Sequence, residues 1–431
     1  MMKKYMLRYF LPLMLILGAC QNTDIDNVFD KSPEERTNQE VEDLRKTLID
    51  SEHGWIAKYY FGDSIINTPL RFRFKENNRV VTQSVFENYE NKESNYTLKY
   101  SEQIDLTFDT YNVLSYLVDL TRAADFRWQL ESRTADEIKF VSRADIFEGQ
   151  SYLTLERANQ NADAFMADQM EIHQTRMQLV HNPRKSFFRN LRTSASPFGF
   201  RVNFNEYTDI IRFFGVFDGS LKYFYSKVNF STDGKVNLET PLKIGGKEVR
   251  QFTLNKQNDT FEISDSNGVT GQILYDTRPF MNRQGLADLF QSIGFSYIGG
   301  FGTNAGDLFD KMYADMPFIL GVQFYNYDGF RGIFFVRQLE SGEYSWDGIN
   351  NMTFRTLADN LVWLDADSKT NTFESDWFEE YYNSSANLKA FYKDFLCHHD
   401  GLFVEYMDDT QEIYLVSKKD PSMYIEIIPV Q

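Results

Sequence analysis

Apolar and polar residues alternate along most of this chain, and the alternation gives way to a longer period in only a few places. Leu-Arg-Phe-Arg-Phe at 70–74 alternates strictly, Asn77-Asn78 follows, and a second apolar run covers 80–86. A period of two places every second side chain on one face of a strand, and asparagine tolerates the positive φ of a two-residue hairpin turn. The same pattern predicts strands at 55–60, 96–100, 104–108, 126–130 and 138–141. It resumes at 198–204, 210–217 and 221–230, with Asp218-Gly219 and Asp233-Gly234 as turns. Further strands are predicted at 249–254, 260–264, 270–274, 318–325, 332–339, 402–407, 412–416 and 423–429.

Helical spacing marks the interruptions. Ser32-Pro33-Glu34-Glu35 reads as a helix start, with Ser32 as cap, Pro33 in the first turn and Glu35 completing a capping box. Val41, Leu44 and Leu48 then form one narrow apolar stripe, so this helix covers something. Residues 159–181 place Phe165, Met166, Met170, His173, Met177 and Val180 on one helical face. Shorter helical patterns occur at 112–120, 283–293 and 307–316, and a polar-aromatic one at 374–397. The predicted class is mainly β with α: two antiparallel meander domains, sheets or half-barrels, each preceded by a helix. The segments are a leader over 1–19, a tether over 20–31, a helix-plus-meander domain over 32–157, a helical connector over 158–196, and a β-rich domain with helical insertions over 197–431.

The leader has its own logic. Lys3, Lys4 and Arg8 precede an apolar stretch at 9–17, too short to span a bilayer, and Gly18-Ala19-Cys20 closes it. This is the pattern of a bacterial lipoprotein signal, with Cys20 as the lipidated residue. Several acyl chains on one cysteine suffice for stable membrane attachment. The formal charge is −17, which repels nucleic-acid backbones and anionic headgroups, so nucleic acid is not an expected partner. Cys397 is the only other cysteine, leaving no intramolecular disulfide once Cys20 is lipidated. Stability then rests on packing, for which 39 Phe, 25 Tyr and 5 Trp supply the material.

Candidate chemistry is sparse. Cys397 and His399, within Cys397-His398-His399-Asp400, could share a zinc ion, but His53, His173 and His181 offer no second ligand pair. The competing reading sets His398 and His399 in the last turn of a helix that Gly401 stops. Gly300-Phe301-Gly302-Thr303-Asn304-Ala305 matches a dinucleotide fingerprint loosely and lacks the surrounding parallel unit, so no cofactor is expected. No serine-hydrolase elbow, phosphate-binding loop or paired-histidine metalloprotease motif occurs, and no catalytic residue is assigned. Tyr325, Tyr327, Trp346 and Asp347 in one region, with Trp377 and Tyr381 in another, combine flat rings with a carboxylate as a sugar site does. The same residues equally describe strand and helix core.

Phe29-Asp30-Lys31-Ser32-Pro33-Glu34-Glu35-Arg36, Gly54-Trp55 and Leu106-Thr107-Phe108-Asp109-Thr110-Tyr111-Asn112, with Leu114 and Leu117, resemble a Bacteroidetes lipoprotein family known only as a domain of unknown function, number 4302. The alternating strands also resemble the lipocalin-like meanders of small lipoproteins. Ser142-Arg143-Ala144 stands where that family carries a Gly/Lys-rich turn. The resemblance implies a surface or periplasmic lipoprotein found beside nutrient-uptake systems, and supplies no catalytic residues. The expected function is a non-catalytic outer-membrane lipoprotein binding a ligand or partner, a glycan or a transporter–lipoprotein uptake complex. Asp24 and Asp26 in a polar tether resemble a surface-export signal, so the body is expected to face the exterior. Two alternatives stay open: an extracytoplasmic hydrolase acting on glycans or peptides, and an adhesion or assembly subunit.

Overall fold

A computed structural model describes residues 31–430, except 62–63, 87–90, 122–125, 144–150, 207, 265–267, 317, 328–329, 367–370 and 408–409. Cys20, the leader and most of the tether lie outside the described residues. The chain divides into two compact units, up to Met170 and from Glu171 onward.

In the first unit, α1 (Pro33–Ile49) starts on the predicted capping box: Glu35 N donates to Ser32 Oγ (3.2 Å) and Ser32 N donates to the Glu35 carboxylate (2.8 Å). The strands are β1 (Trp55–Phe61), β2 (Ser64–Lys75), β3 (Arg79–Gln83), β4 (Lys92–Tyr100), β5 (Ile104–Phe108), β6 (Arg127–Arg133), β7 (Glu137–Ser142) and β8 (Tyr152–Arg157). Each pairs antiparallel with the next, and β8 pairs with β1 to close the barrel. Asn77 and Asn78 both adopt positive φ, +58° and +59°, between β2 and β3, as the hairpin signal requires. Trp55, Tyr59, Phe72, Tyr96, Trp128 and Phe140 are fully buried within the barrel, and Trp128 meets Tyr59 edge-on at 5.5 Å. Val41, Leu44 and Leu48 of α1 join this core, and the Trp55 indole donates to Leu48 O (2.9 Å). A second helix, α2 (Val113–Thr121), contributes Val113, Leu114 and Leu117.

The division falls within α3 (Ala162–Leu179). A second closed barrel follows, of β9 (Arg189–Thr193), β10 (Phe200–Asn205), β11 (Ile210–Phe217), β12 (Ser220–Phe230), β13 (Lys235–Ile244), β14 (Lys247–Asn255), β15 (Thr260–Ile263) and β16 (Gly271–Tyr275). β9 lies inside the stretch that the pattern assigns to a helical connector. Its residues include one apolar side chain, Leu191, so periodicity does not mark them; pairing with β10 and β16 holds them extended. The buried Arg189 guanidinium donates to the carbonyls of Gln178 (2.7 Å), Leu179 (2.5 Å) and Val180 (2.9 Å), satisfying groups that a helix end leaves unpaired.

The C-terminal stretch is not one meander domain but two β assemblies, because a ten-stranded antiparallel sheet follows the barrel. Its strands are β17 (Phe295–Phe301), β18 (Ile319–Tyr327), β19 (Phe330–Gln338), β20 (Tyr344–Asn350), β21 (Thr353–Ala358), β22 (Leu361–Asp365), β23 (Thr372–Phe373), β24 (Leu402–Met407), β25 (Glu412–Ser417) and β26 (Tyr424–Pro429). Their spatial order is β21-β22-β24-β25-β26-β17-β18-β19-β20-β23. The pattern marks none of β20 to β22; within β20, Asp347 and Gly348 are adjacent and both buried, which breaks the alternation.

One face of the sheet packs against α4 (Leu286–Ser292), α5 (Thr303–Asp315), α6 (Asp376–Ser384) and a helical segment, Ala386–Lys389, that continues as the π-helix Ala390–Leu396. The helical stretch expected over 374–397 starts on the Ser375 cap and is divided at Ser385, which ends α6 and caps the next segment. The opposite face is covered by the second barrel at β22 and β24–β26. There Phe187 meets Tyr414 and Tyr424 at 5.1 and 5.0 Å, and Phe188 meets Phe403 at 5.5 Å. The Arg201 guanidinium pairs with the buried Glu405 carboxylate across this contact. Among the described residues, no helix is long and apolar enough to cross a membrane.

Candidate functional site: an open aromatic face

Barrel contact ends near β26; on the same sheet face over β17 to β20, Tyr297 and Trp346 stay exposed among the described residues, while Phe334 is buried. Register fixes which side chains share it: Tyr297 pairs with Gln323, Gln323 with Phe334, Val336 with Trp346, and Phe295 with Tyr325. Tyr297 (42% exposed) and Trp346 (47%) present their rings to solvent. Phe295, Tyr325 and Phe334 form a supporting row, with ring centroids 4.7 and 5.3 Å apart. The Trp346 indole N–H donates to Gln323 Oε1 (2.9 Å), tying β20 to β18 across β19.

At the barrel-side margin, β26 leans over a glycine run in β17. A β-carbon at Gly302 would stand 2.4 Å from the Tyr424 ring, and one at Gly300 would stand 3.1 Å from the Glu426 carboxylate. Burial and neighbouring Glu412 push the Glu426 carboxyl above its ordinary range, while the Tyr414 hydroxyl donates to Glu412 (2.8 Å). Gly300 therefore serves close strand packing. Its segment pairs antiparallel with β26, which is the wrong setting for a dinucleotide fingerprint.

The six aromatic-acidic candidates do not form one site. Tyr325 and Trp346 lie on the open face. Asp347 points to the opposite, helix-covered face, because neighbours in a strand alternate. There Arg337 Nε donates to Asp347 Oδ2 (2.5 Å), the Ser375 hydroxyl donates to Oδ1 (2.6 Å), and the Arg337 guanidinium sits 4.0 Å from the Trp377 ring. Trp377 stacks in turn near Tyr381, at 4.6 Å. Asp347, Trp377 and Tyr381 thus anchor α6 to the sheet. Tyr327 ends β18, and its side chain lies outside the described residues. Tyr297, Gln323 and Glu426 escaped the reading because they come from separate chain segments that only strand register unites.

His398 and His399 lie beyond the last helical turn, since Cys397 is already its C-cap. Gly401 does adopt positive φ, +86°. Ligand atoms of His398, His399 and Asp400 lie within 4.8 Å of one another, but His398 Nδ1 accepts from Asp400 N (3.3 Å) and His399 is exposed. The Cys397 carbonyl accepts from the Trp363 indole (3.3 Å). A separate recess of about 420 Å³ opens on the outside of the second barrel, lined by Asn203, Asn205, Arg212 and Tyr225.

Two closed up-and-down barrels and a ten-stranded sheet, all of antiparallel strands, define a mainly β protein. The chain belongs to the family described as Domain of unknown function (DUF4302), which matches residues 25–256. That match covers the first barrel and most of the second, and ends before the sheet. No curated protein matches the chain. Among solved structures, the chain is similar to japanin from Rhipicephalus appendiculatus bound to cholesterol, at 9% identity over 28% of this chain and 87% of that one, with a TM-score of 0.17. It is also similar to a DnaN sliding clamp (DNA polymerase III subunit beta) from Pseudomonas aeruginosa bound to griselimycin, at 8% identity over 92% and 98%, with a TM-score of 0.17. Scores this low carry no argument about fold or ligand.

Proposed function

We propose that this chain is an outer-membrane lipoprotein, anchored through Cys20 and displayed to the exterior, that binds a ligand or partner non-catalytically as an accessory to nutrient uptake. The observation that carries this reading is the open face of the sheet. Tyr297, Phe318, Leu320, Tyr344 and Trp346, all large apolar residues that stay exposed, belong to or adjoin β17, β18 and β20. Gathered exposed apolar groups of this kind mark interaction surfaces. Buried aromatic and aliphatic side chains pack the core of each barrel, which favours an outer surface for binding. A polar tether of about ten residues reaches roughly 35 Å when extended, enough to hold the body clear of the headgroups.

The test is a pull-down of the full chain from detergent-solubilised outer membranes, alongside a Tyr297→Ala/Trp346→Ala double variant. The parent is expected to retain a transporter, a lipoprotein or a glycan that the double variant loses. Equal recovery with both proteins, or no recovery with either, would sink the reading.

A further inference from the structure

On the open face, rings alternate with hydrogen-bonding groups. Trp346 and Tyr297 stand three strands apart, roughly 14 Å by ordinary strand spacing. Gln323 lies between them, directly opposite Tyr297. An indole N–H can only donate, so its bond to Gln323 Oε1 fixes the amide orientation and turns the NH2 group, two donors, away from Trp346. Beside the Trp346 ring, along its own row, the surface drops to Val336 and then to Gly321, where a β-carbon would meet nothing within 4 Å. Ladder pairing between β17 and β18 covers Phe295–Tyr297 with Gln323–Tyr325, and Gly321 stands beyond it. The result is a low shelf with an exposed ring at each end and an amide between.

This arrangement selects among occupants. A protein interface also combines aromatic anchors with hydrogen bonds, and the pull-down arm below separates that occupant from a sugar chain. An anionic lipid surface meets a strongly acidic chain, at −17. A sugar chain presents flat C–H faces that stack on rings, and between them hydroxyls that accept from an amide. Glu426 and Glu412, neighbouring carboxylates, stand at the barrel-side margin and disfavour a polyanion.

We infer that the open face of β17–β20 binds an uncharged polysaccharide, stacked on Tyr297 and Trp346 and hydrogen-bonded by Gln323 between them. This rests on the binding reading above and names its ligand class. The experiment is native affinity electrophoresis of the full chain in non-ionic detergent, through gels containing α-mannan, xyloglucan, arabinoxylan or chondroitin sulfate. At least one of the three uncharged polymers is expected to retard the protein, and chondroitin sulfate is not. Trp346→Ala and Tyr297→Ala are each expected to weaken that retardation tenfold or more, and Gln323→Leu severalfold. Tyr313→Ala, an exposed ring on α5, is expected to leave it unchanged. Absence of retardation by every uncharged polymer overturns the inference, as does retardation that survives both ring variants or is matched by chondroitin sulfate. If a pulled-down partner depends on Trp346 while no polysaccharide binds, the glycan assignment falls and the binding reading stands. If the pull-down is also indifferent to these rings, both fall.

Discussion

Trp346 and Asp347 are neighbours in the chain and belong to opposite faces of one strand. Composition groups them as ring and carboxylate; alternation separates a solvent-facing ring from a carboxylate that is 1% exposed and held by Arg337 and Ser375. Asp347→Ala leaves the Arg337 guanidinium without its anion and removes the bond to the Ser375 hydroxyl that caps α6. The expected loss is about 3 kcal/mol, the ordinary consequence of breaking a mostly buried pair, and urea unfolding measures it. His181 gives a second expectation. Burial and the Arg189 charge push its imidazole down to about 4. Unfolded, the same group titrates near 6.5. Between those values the unfolded chain binds the additional proton, so stability rises with pH through this window and falls as pH drops from 6.5 to 4. The parent is expected to lose about 2 kcal/mol over that interval beyond what a His181→Gln variant loses, after discounting for partial exposure. Urea midpoints at pH 7, 5 and 4 check this; parallel profiles would contradict it.

Elements with strong local signals were readable in the chain. The α1 capping box, the Asn77-Asn78 hairpin and the alternation of β2, β10 and β11 all lie within a few residues of their cause. β9 was not readable because β16, about eighty residues further along the chain, holds it extended, and β20 was not because Asp347 and Gly348, both buried, interrupt its alternation. The open face was half legible, through Tyr325 and Trp346, while Tyr297 and Gln323 join it only once register is known. α1 also shows what a covering helix does. Leu44 and Leu48 are fully buried in the core of the first barrel. Leu44→Ala should lower stability by about 3 kcal/mol, through lost burial and the cavity left behind. A change below about 1 kcal/mol in urea unfolding would show that the helix is only loosely seated.

At the scale of the whole molecule, the DUF4302 match spans residues 25–256, the first barrel and most of the second, and the open face lies beyond it on the sheet. In our reading the chain attaches by lipid and binds by the sheet. Cys20→Ser should release the protein from the membrane fraction to the soluble fraction, as cell fractionation would show. Protease added to intact cells should remove the parent; protection until the outer membrane is breached would place the protein inside. Hydroxyl-radical footprinting tests the central claim most directly, comparing the purified chain with the protein on intact cells. Tyr297 and Trp346 are expected to be protected on cells, where ligand or partner is present. Tyr100 and Tyr111 of the first unit, similarly exposed at 44% and 47%, serve as internal references and should oxidise alike in both samples. Equal oxidation of Tyr297 and Trp346 in the two samples would contradict the account.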